Sequence, residues 1–296
     1  DENSNMFVLE FPEYNHGHAG WKITRTGTVK RLVDQDGDGV FDHATVYVDQ
    51  LNSPTAVACY NGGVLVGAAP DLLFCKDTDG DGVADVRQKL YTGFGITDRG
   101  GGARLNSIRW NLDHQFHLCT SFSGGQVQSV LHPGVKPVDV QNRGFQFDPR
   151  SDQMAATTGA GQHGLAFDGW GSMFTCRNSN PFRQVMYESR YVARNPYLVA
   201  DAAEVDITAE GKHTKLLRRS PLEPWRILRT QLRLDGKYRG SAEGGTVGGF
   251  FTSATGIVVY QGDAWPRQYR GNLFVGEVSN NLVQRVRLEG KGLQKV

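Results

Sequence analysis

Two nine-residue strings set the frame for this chain. Asp34-Gln35-Asp36-Gly37-Asp38-Gly39-Val40-Phe41-Asp42 returns as Asp77-Thr78-Asp79-Gly80-Asp81-Gly82-Val83-Ala84-Asp85, beginning 43 residues later. That spacing is close to the length of one four-stranded propeller blade. Other segments recur in phase with it. One type is Met6-Phe7-Val8-Leu9, Val64-Leu65-Val66-Gly67, Phe116-His117-Leu118-Cys119, Met173-Phe174-Thr175-Cys176 and Leu273-Phe274-Val275-Gly276. Most copies follow a second type: Thr55-Ala56-Val57-Ala58-Cys59, Asn106-Ser107-Ile108-Arg109-Trp110, His163-Gly164-Leu165-Ala166-Phe167 or Thr255-Gly256-Ile257-Val258-Val259. Apolar residues alternating with others at period two are the mark of a strand with one buried face.

A third type comes next: Val29-Lys30-Arg31-Leu32-Val33, Leu72-Leu73-Phe74-Cys75, Gln126-Val127-Gln128-Ser129-Val130, Gln184-Val185-Met186-Tyr187 and Val283-Gln284-Arg285-Val286. In the first two units an acidic string follows, and then Ala44-Thr45-Val46-Tyr47-Val48 or Val86-Arg87-Gln88-Lys89-Leu90. Each unit therefore reads as strands A, B, C and D, with the acidic string joining C to D. The expectation is an all-β fold, a β-propeller of four-stranded blades with five blade cores visible. The 37 glycines, 11 prolines and 39% apolar content suit many short strands rather than long helices. The chain is expected to be a single propeller domain over residues 1–296, cut at both ends, with an insertion around 188–249 where the repeat lapses.

Charge is balanced at +1, so nucleic acid and anionic membrane are not expected as main partners. No apolar run approaches the ~18 residues of a membrane-spanning helix. Four cysteines, Cys59, Cys75, Cys119 and Cys176, fall inside strand-like runs, where a small buried thiol is the ordinary reading. None makes a CxxCH heme motif.

The acidic strings point to calcium, with two sites. Carboxylates at positions 1, 3, 5 and 9 and a glycine at position 6 wrap hard oxygen ligands around an ion. The expected ligands are Asp34, Asp36, Asp38 and Asp42 in the first string and Asp77, Asp79, Asp81 and Asp85 in the second. An EF-hand would carry Glu at position 12, where this chain has Thr45 and Gln88, so a structural calcium loop is the reading.

Several further strings carry a resemblance. Asp71-Leu72-Leu73-Phe74, Gly93-Phe94-Gly95, Arg104-Leu105-Asn106-Ser107, Gly161-Gln162-His163-Gly164, Glu223-Pro224-Trp225-Arg226 and Phe251-Thr252-Ser253-Ala254-Thr255-Gly256, with the second acidic string, resemble the bacterial membrane-bound dehydrogenase propeller domain. That family is commonly joined to a c-type cytochrome module and is related to quinoprotein sugar dehydrogenases. The resemblance implies a six-bladed ring, pyrroloquinoline quinone as hydride acceptor, and a histidine base beside arginine or asparagine contacts to the quinone. Any heme would lie in a domain outside this chain.

Propeller ligand sites lie where strand A enters the channel. Thr55, Asn106, His163 and Thr255 occupy that place, and His163 alone among them titrates. It is the candidate catalytic base, or else a histidine bonded to the next blade. Gln162, Arg104, Asn106, Arg226 and Arg229 are the candidate cofactor contacts, the two arginines as a carboxylate clamp or as surface partners of Glu223. His16 and His18 make too sparse a metal pair.

Two functions follow. One is a periplasmic or extracellular dehydrogenase that oxidises a sugar or polyol and passes electrons to a c-type cytochrome partner. The other is a calcium-stabilised propeller without catalysis, binding a glycan or a companion domain.

Overall fold

The short apolar runs pair with their neighbours in the chain, as period-two segments separated by tight turns must. The computed structural model describes residues 1–12, 25–96, 103–151, 153–208, 214–239, 247–291 and 294–295. His16 and His18 lie outside them. The fold is all-β, a β-propeller whose five blades are small antiparallel sheets. The chain divides into two compact units, Asp1–Ala160 and Gly161–Val296.

The first unit holds three blades. β1 (Met6–Glu10), β2 (Gly27–Val33) and β3 (His43–Leu51) form the first, which lacks a strand A as its sequence implies. β4 (Ala56–Tyr60), β5 (Gly63–Ala68), β6 (Asp71–Lys76) and β7 (Val86–Phe94) form the second. Every residue of β5 is buried, which is why that central strand is apolar throughout instead of alternating. The third blade is β8 (Asn106–Trp110), β9 (Phe116–Cys119), β12 (Gly144–Asp148) and β13 (Gln153–Thr157).

The third blade differs from the sequence expectation. The segment Gln126–Val130 is not its strand C. Instead β10 (Gly125–Ser129) and β11 (Val138–Asp139) leave the blade and extend the outer edge of β7. Packing decides the exchange. β12 brings Phe145 and Phe147, both fully buried, against Tyr91 at 5.3 and 5.1 Å, and Phe145 also meets Phe94 at 5.4 Å. Two buried phenylalanines, each worth roughly 1.5–3 kcal/mol, also gain ring contacts that Val127 has no aromatic ring to make. Gly93 makes the approach of β10 possible: a Cβ there would lie 2.0 Å from the Gln126 carbonyl oxygen.

The second unit holds the fourth blade, β14 (Leu165–Phe167), β15 (Met173–Arg177), β16 (Asn180–Val185) and β17 (Glu204–Asp206), and the fifth, β18 (Ala254–Val259), β19 (Leu273–Glu277) and β20 (Leu282–Val286). A ribbon of β21 (Gly290–Lys291) and β22 (Gln294–Lys295) follows. The expected insertion therefore contains a blade strand, β17. It also contains a short helix α1 (Ser189–Val192) and a longer one, α2 (Pro224–Leu234), with Pro224 at its first turn where a missing N–H costs nothing. The core here gathers Phe174, Phe182, Phe251, Ile257, Leu273 and Val275.

All four cysteines are free thiols. Cys75, Cys119 and Cys176 are buried as expected, and burial pushes the Cys75 thiol up to about 11 and Cys176 up to about 12. Cys59 differs: it is exposed, because the alternation of β4 turns it outward.

Candidate functional site

The two acidic loops fold identically. In the first, Asp34 Oδ1 accepts from Gly37 N at 2.8 Å and its Oδ2 from Gly39 N at 2.8 Å. Asp36 Oδ1 accepts from Asp38 N at 3.2 Å and Asp38 Oδ1 from Val40 N at 2.7 Å. The second loop repeats this set: Asp77 with Gly80 N (2.7 Å) and Gly82 N (2.8 Å), Asp79 with Asp81 N (3.3 Å), Asp81 with Val83 N (2.7 Å). The loops can wind so tightly because Gly37, Gly39, Gly80 and Gly82 all take positive φ, between 78° and 89°. Position 4 needs glycine as much as position 6, a requirement the motif reading passed over.

This winding brings one carboxylate oxygen each from Asp34, Asp36 and Asp38 within 4.8 Å of one another, and likewise from Asp77, Asp79 and Asp81. Oxygens so placed repel unless a cation lies among them, and their hard donors suit Ca²⁺. Asp42 and Asp85 stand outside these triads. Asp42 accepts from Gln35 N at 3.2 Å, and Asp85 accepts from Thr78 N at 2.7 Å and from the Thr78 hydroxyl, so the ninth residue closes each loop onto its second. Desolvation pushes the Asp77 carboxyl up, but the amides of Gly80 and Gly82 outweigh it and hold the group below the usual carboxylate range. The second loop is also tied to the first blade: Asp77 N donates to Tyr47 Oη at 3.0 Å and Ala84 N to the Tyr47 carbonyl at 2.8 Å.

The strand-A entry residues are largely spent on the fold. Thr55 Oγ1 donates to the Leu105 carbonyl at 2.5 Å, and Asn106 Nδ2 to the Arg104 carbonyl at 2.8 Å. Thr255 Oγ1 donates to the His163 carbonyl at 3.3 Å, and Gly256 N to the same oxygen at 2.8 Å. Gln162 Oε1 accepts from Asn178 N at 3.1 Å. Arg104 is buried with its guanidinium 6.0 Å from the Phe11 ring centroid, and burial lowers its pKa. His163 differs from its neighbours. Its backbone joins two blades, while its half-buried imidazole makes no hydrogen bond among the described residues, and burial lowers its pKa.

The sequence profile of a family described as a domain of unknown function, DUF7133, matches residues 1–295. The chain belongs to that family. No curated protein matches it. Among solved structures, a luciferin-regenerating enzyme is similar at 9% identity and TM-score 0.45, over 97% of this chain and 69% of that one. A glucose dehydrogenase is similar at 14% identity and TM-score 0.35, over 82% and 85% of the two chains. Likeness at this level carries no functional argument.

The arginine pair of this DUF7133 chain sits on α2 and faces the protein. Arg226 is fully buried. Its Nη1 donates to Asn280 Oδ1 at 3.2 Å, its Nη2 to the Ser279 carbonyl, and its Nε lies 3.4 Å from Glu223. Trp225 covers it, with guanidinium-to-ring distances of 5.1 Å for Arg226 and 4.9 Å for Arg229. Asn106, Gln162 and Arg226 thus each hold hydrogen bonds within the chain. The residue that motif reading missed here is Glu277, 1% exposed, which accepts from the Thr252 and Ser253 amides and from Asn280 Nδ2. Desolvation raises its pKa. Nothing in its strand, Leu273-Phe274-Val275-Gly276-Glu277, sets it apart from a strand-end surface acid.

Proposed function

We propose that this chain is a calcium-braced propeller acting as a binding module for a glycan or a companion domain. The observation that carries the reading is the acidic loop built twice with one hydrogen-bond set, each copy gathering three carboxylates within 4.8 Å. Asp34, Asp36 and Asp38 would hold one Ca²⁺ and Asp77, Asp79 and Asp81 the other. Each ion would neutralise a triad and stiffen the turn between two blade strands. Free calcium is abundant outside the cytoplasm, where modules of 10⁻⁴–10⁻³ M affinity fill, so a periplasmic or extracellular setting goes with the reading. Terbium luminescence and calorimetry test it: two sites per chain are expected, one lost in Asp36→Ala and the other in Asp79→Ala. Absence of binding at millimolar calcium overturns it.

A second reading rests on His163. An imidazole kept neutral by burial and left without a partner can accept a proton from a sugar or polyol hydroxyl, as the base of a dehydrogenase with a c-type cytochrome partner would. Dye reduction over a sugar panel, lost in His163→Ala, is the result that would favour this reading over the first.

A further inference from the structure

Four of the five tryptophans lie in described residues, and three of those have evident packing partners. Trp110 meets Phe116 edge-on at 4.8 Å, Trp225 covers two arginines, and Trp265 stacks on Tyr260 at 4.6 Å. Trp170 has no ring or cation partner among the described residues and is 87% exposed. An indole offers a large flat apolar face with a polar N–H at its edge. It does not project at random. The turn Asp168-Gly169-Trp170-Gly171-Ser172 is fixed by Asp168 Oδ1, which accepts from Trp170 N at 2.9 Å and Ser172 N at 2.8 Å, and by Asp168 N donating to the Ser172 carbonyl.

This turn joins β14 to β15. Beside it runs the connection from β18 to β19, held there by Gln261 Nε2 donating to the Phe167 carbonyl at 3.0 Å. The two enclose a depression of about 410 Å³ lined by Asp168, Trp170, Gln261 and Arg270 over the apolar floor of Val259 and Leu288. The Arg270 guanidinium has no hydrogen bond or ion pair among the described residues. Asp168 keeps one carboxylate oxygen clear of the turn. Gly169 lies so near Gln261 that a Cβ would stand 3.2 Å from its Oε1, and so the lack of a side chain there preserves the hollow.

We infer that this depression is a saccharide subsite for sugars carrying a carboxylate. Trp170 is the platform for the C–H face of a pyranose ring, Asp168 and Gln261 accept from its hydroxyls, and Arg270 pairs with the carboxylate in the two-pronged geometry a guanidinium favours. An uncommitted cation beside an uncommitted indole is what selects a uronate over a neutral hexose. The inference rests on the binding reading above and places the glycan.

The test is calorimetry of the calcium-loaded chain against galacturonate and mannuronate tetramers and their neutral galactose and mannose counterparts. Uronate oligomers are expected to bind more tightly than neutral ones, Trp170→Ala to weaken binding roughly tenfold, and Arg270→Gln to bring uronate affinity down to the neutral level. Both side chains are exposed, so melting temperatures should not move. Undiminished binding by Trp170→Ala overturns the site while the glycan-binding reading stands. Equal affinity of the unaltered chain for neutral and acidic sugars overturns the ligand class. No binding to any oligomer overturns both.

Discussion

Tyr47 Oη accepts a hydrogen bond from the backbone N–H of Asp77 at 3.0 Å, so the first carboxylate of the second acidic loop hangs from the preceding blade. Tyr47 is itself 3% exposed and packs edge-on against Phe7 at 5.0 Å. Its phenol is thus a fixed post. Tyr47→Phe is expected to cost about 1 kcal/mol of stability and to weaken the second calcium site while leaving the first unchanged. Two-site calorimetry separates these, and equal affinities in variant and parent would show that the post is irrelevant.

Calcium bound only by the folded state should raise stability by about 2.7 kcal/mol when present at a hundredfold over its dissociation constant. A chelator should therefore lower the melting temperature, and Asp36→Ala with Asp79→Ala should remove the chelator's effect. A melting curve indifferent to chelator in the parent chain would count against both loops.

Gly93 has φ of 98° and its absent Cβ makes room for the Gln126 carbonyl. Gly93→Ala is expected to cost at least about 1–2 kcal/mol in backbone strain and to release β10 from β7. Hydrogen exchange at Val127 and Gln128 reports the release. Unchanged protection there would mean that the strands adjust around the methyl group.

Removing one donor from a buried polar network leaves its acceptors short of partners. Arg226→Met should cost roughly 1–3 kcal/mol, because the Ser279 carbonyl loses its guanidinium donor while Glu223 and Asn280 keep Arg218. Arg229→Met, on the half-buried neighbouring arginine, should cost much less. A denaturant titration that ranks the two the other way would refute the assignment of Arg226 as the residue that pins α2.

His163 has a folded pKa lowered by burial from the ordinary 6.5. The unfolded chain therefore binds the proton first as pH falls. Stability from this group is complete above pH 6.5 and is lost as pH drops from there through the folded value. His163→Gln should flatten that stretch of the stability curve between pH 7 and 5, as read by thermal melts. Parallel curves for parent and variant would contradict the burial argument.

The blade strands could be read from the sequence because their apolar period is local, and the acidic loops because five carboxylate and glycine positions define them. The rest depended on competition between distant segments. Val127 alternates as well as Phe145 does, and only the aromatic packing on Tyr91 and Phe94 shows which strand enters the third blade. The helix α2 escaped because its buried face is polar, with Arg226 and Thr230 inward and Trp225 and Leu228 exposed, the reverse of the usual pattern. Arg226 and Arg229 were legible as a pair, but their orientation toward Asn280 and Trp225 came from the fold.

The detour of β10 and β11 has a further effect on how the molecule behaves in a crowded solution. An open sheet margin is a template on which foreign backbones can polymerise. Here the Tyr91–Phe94 end of the margin of β7 is paired with the chain's own hairpin, whose outer strand β11 offers only two residues. The segment that a simple repeat would have spent inside the third blade instead shortens the open edge its neighbour offers to fibre growth.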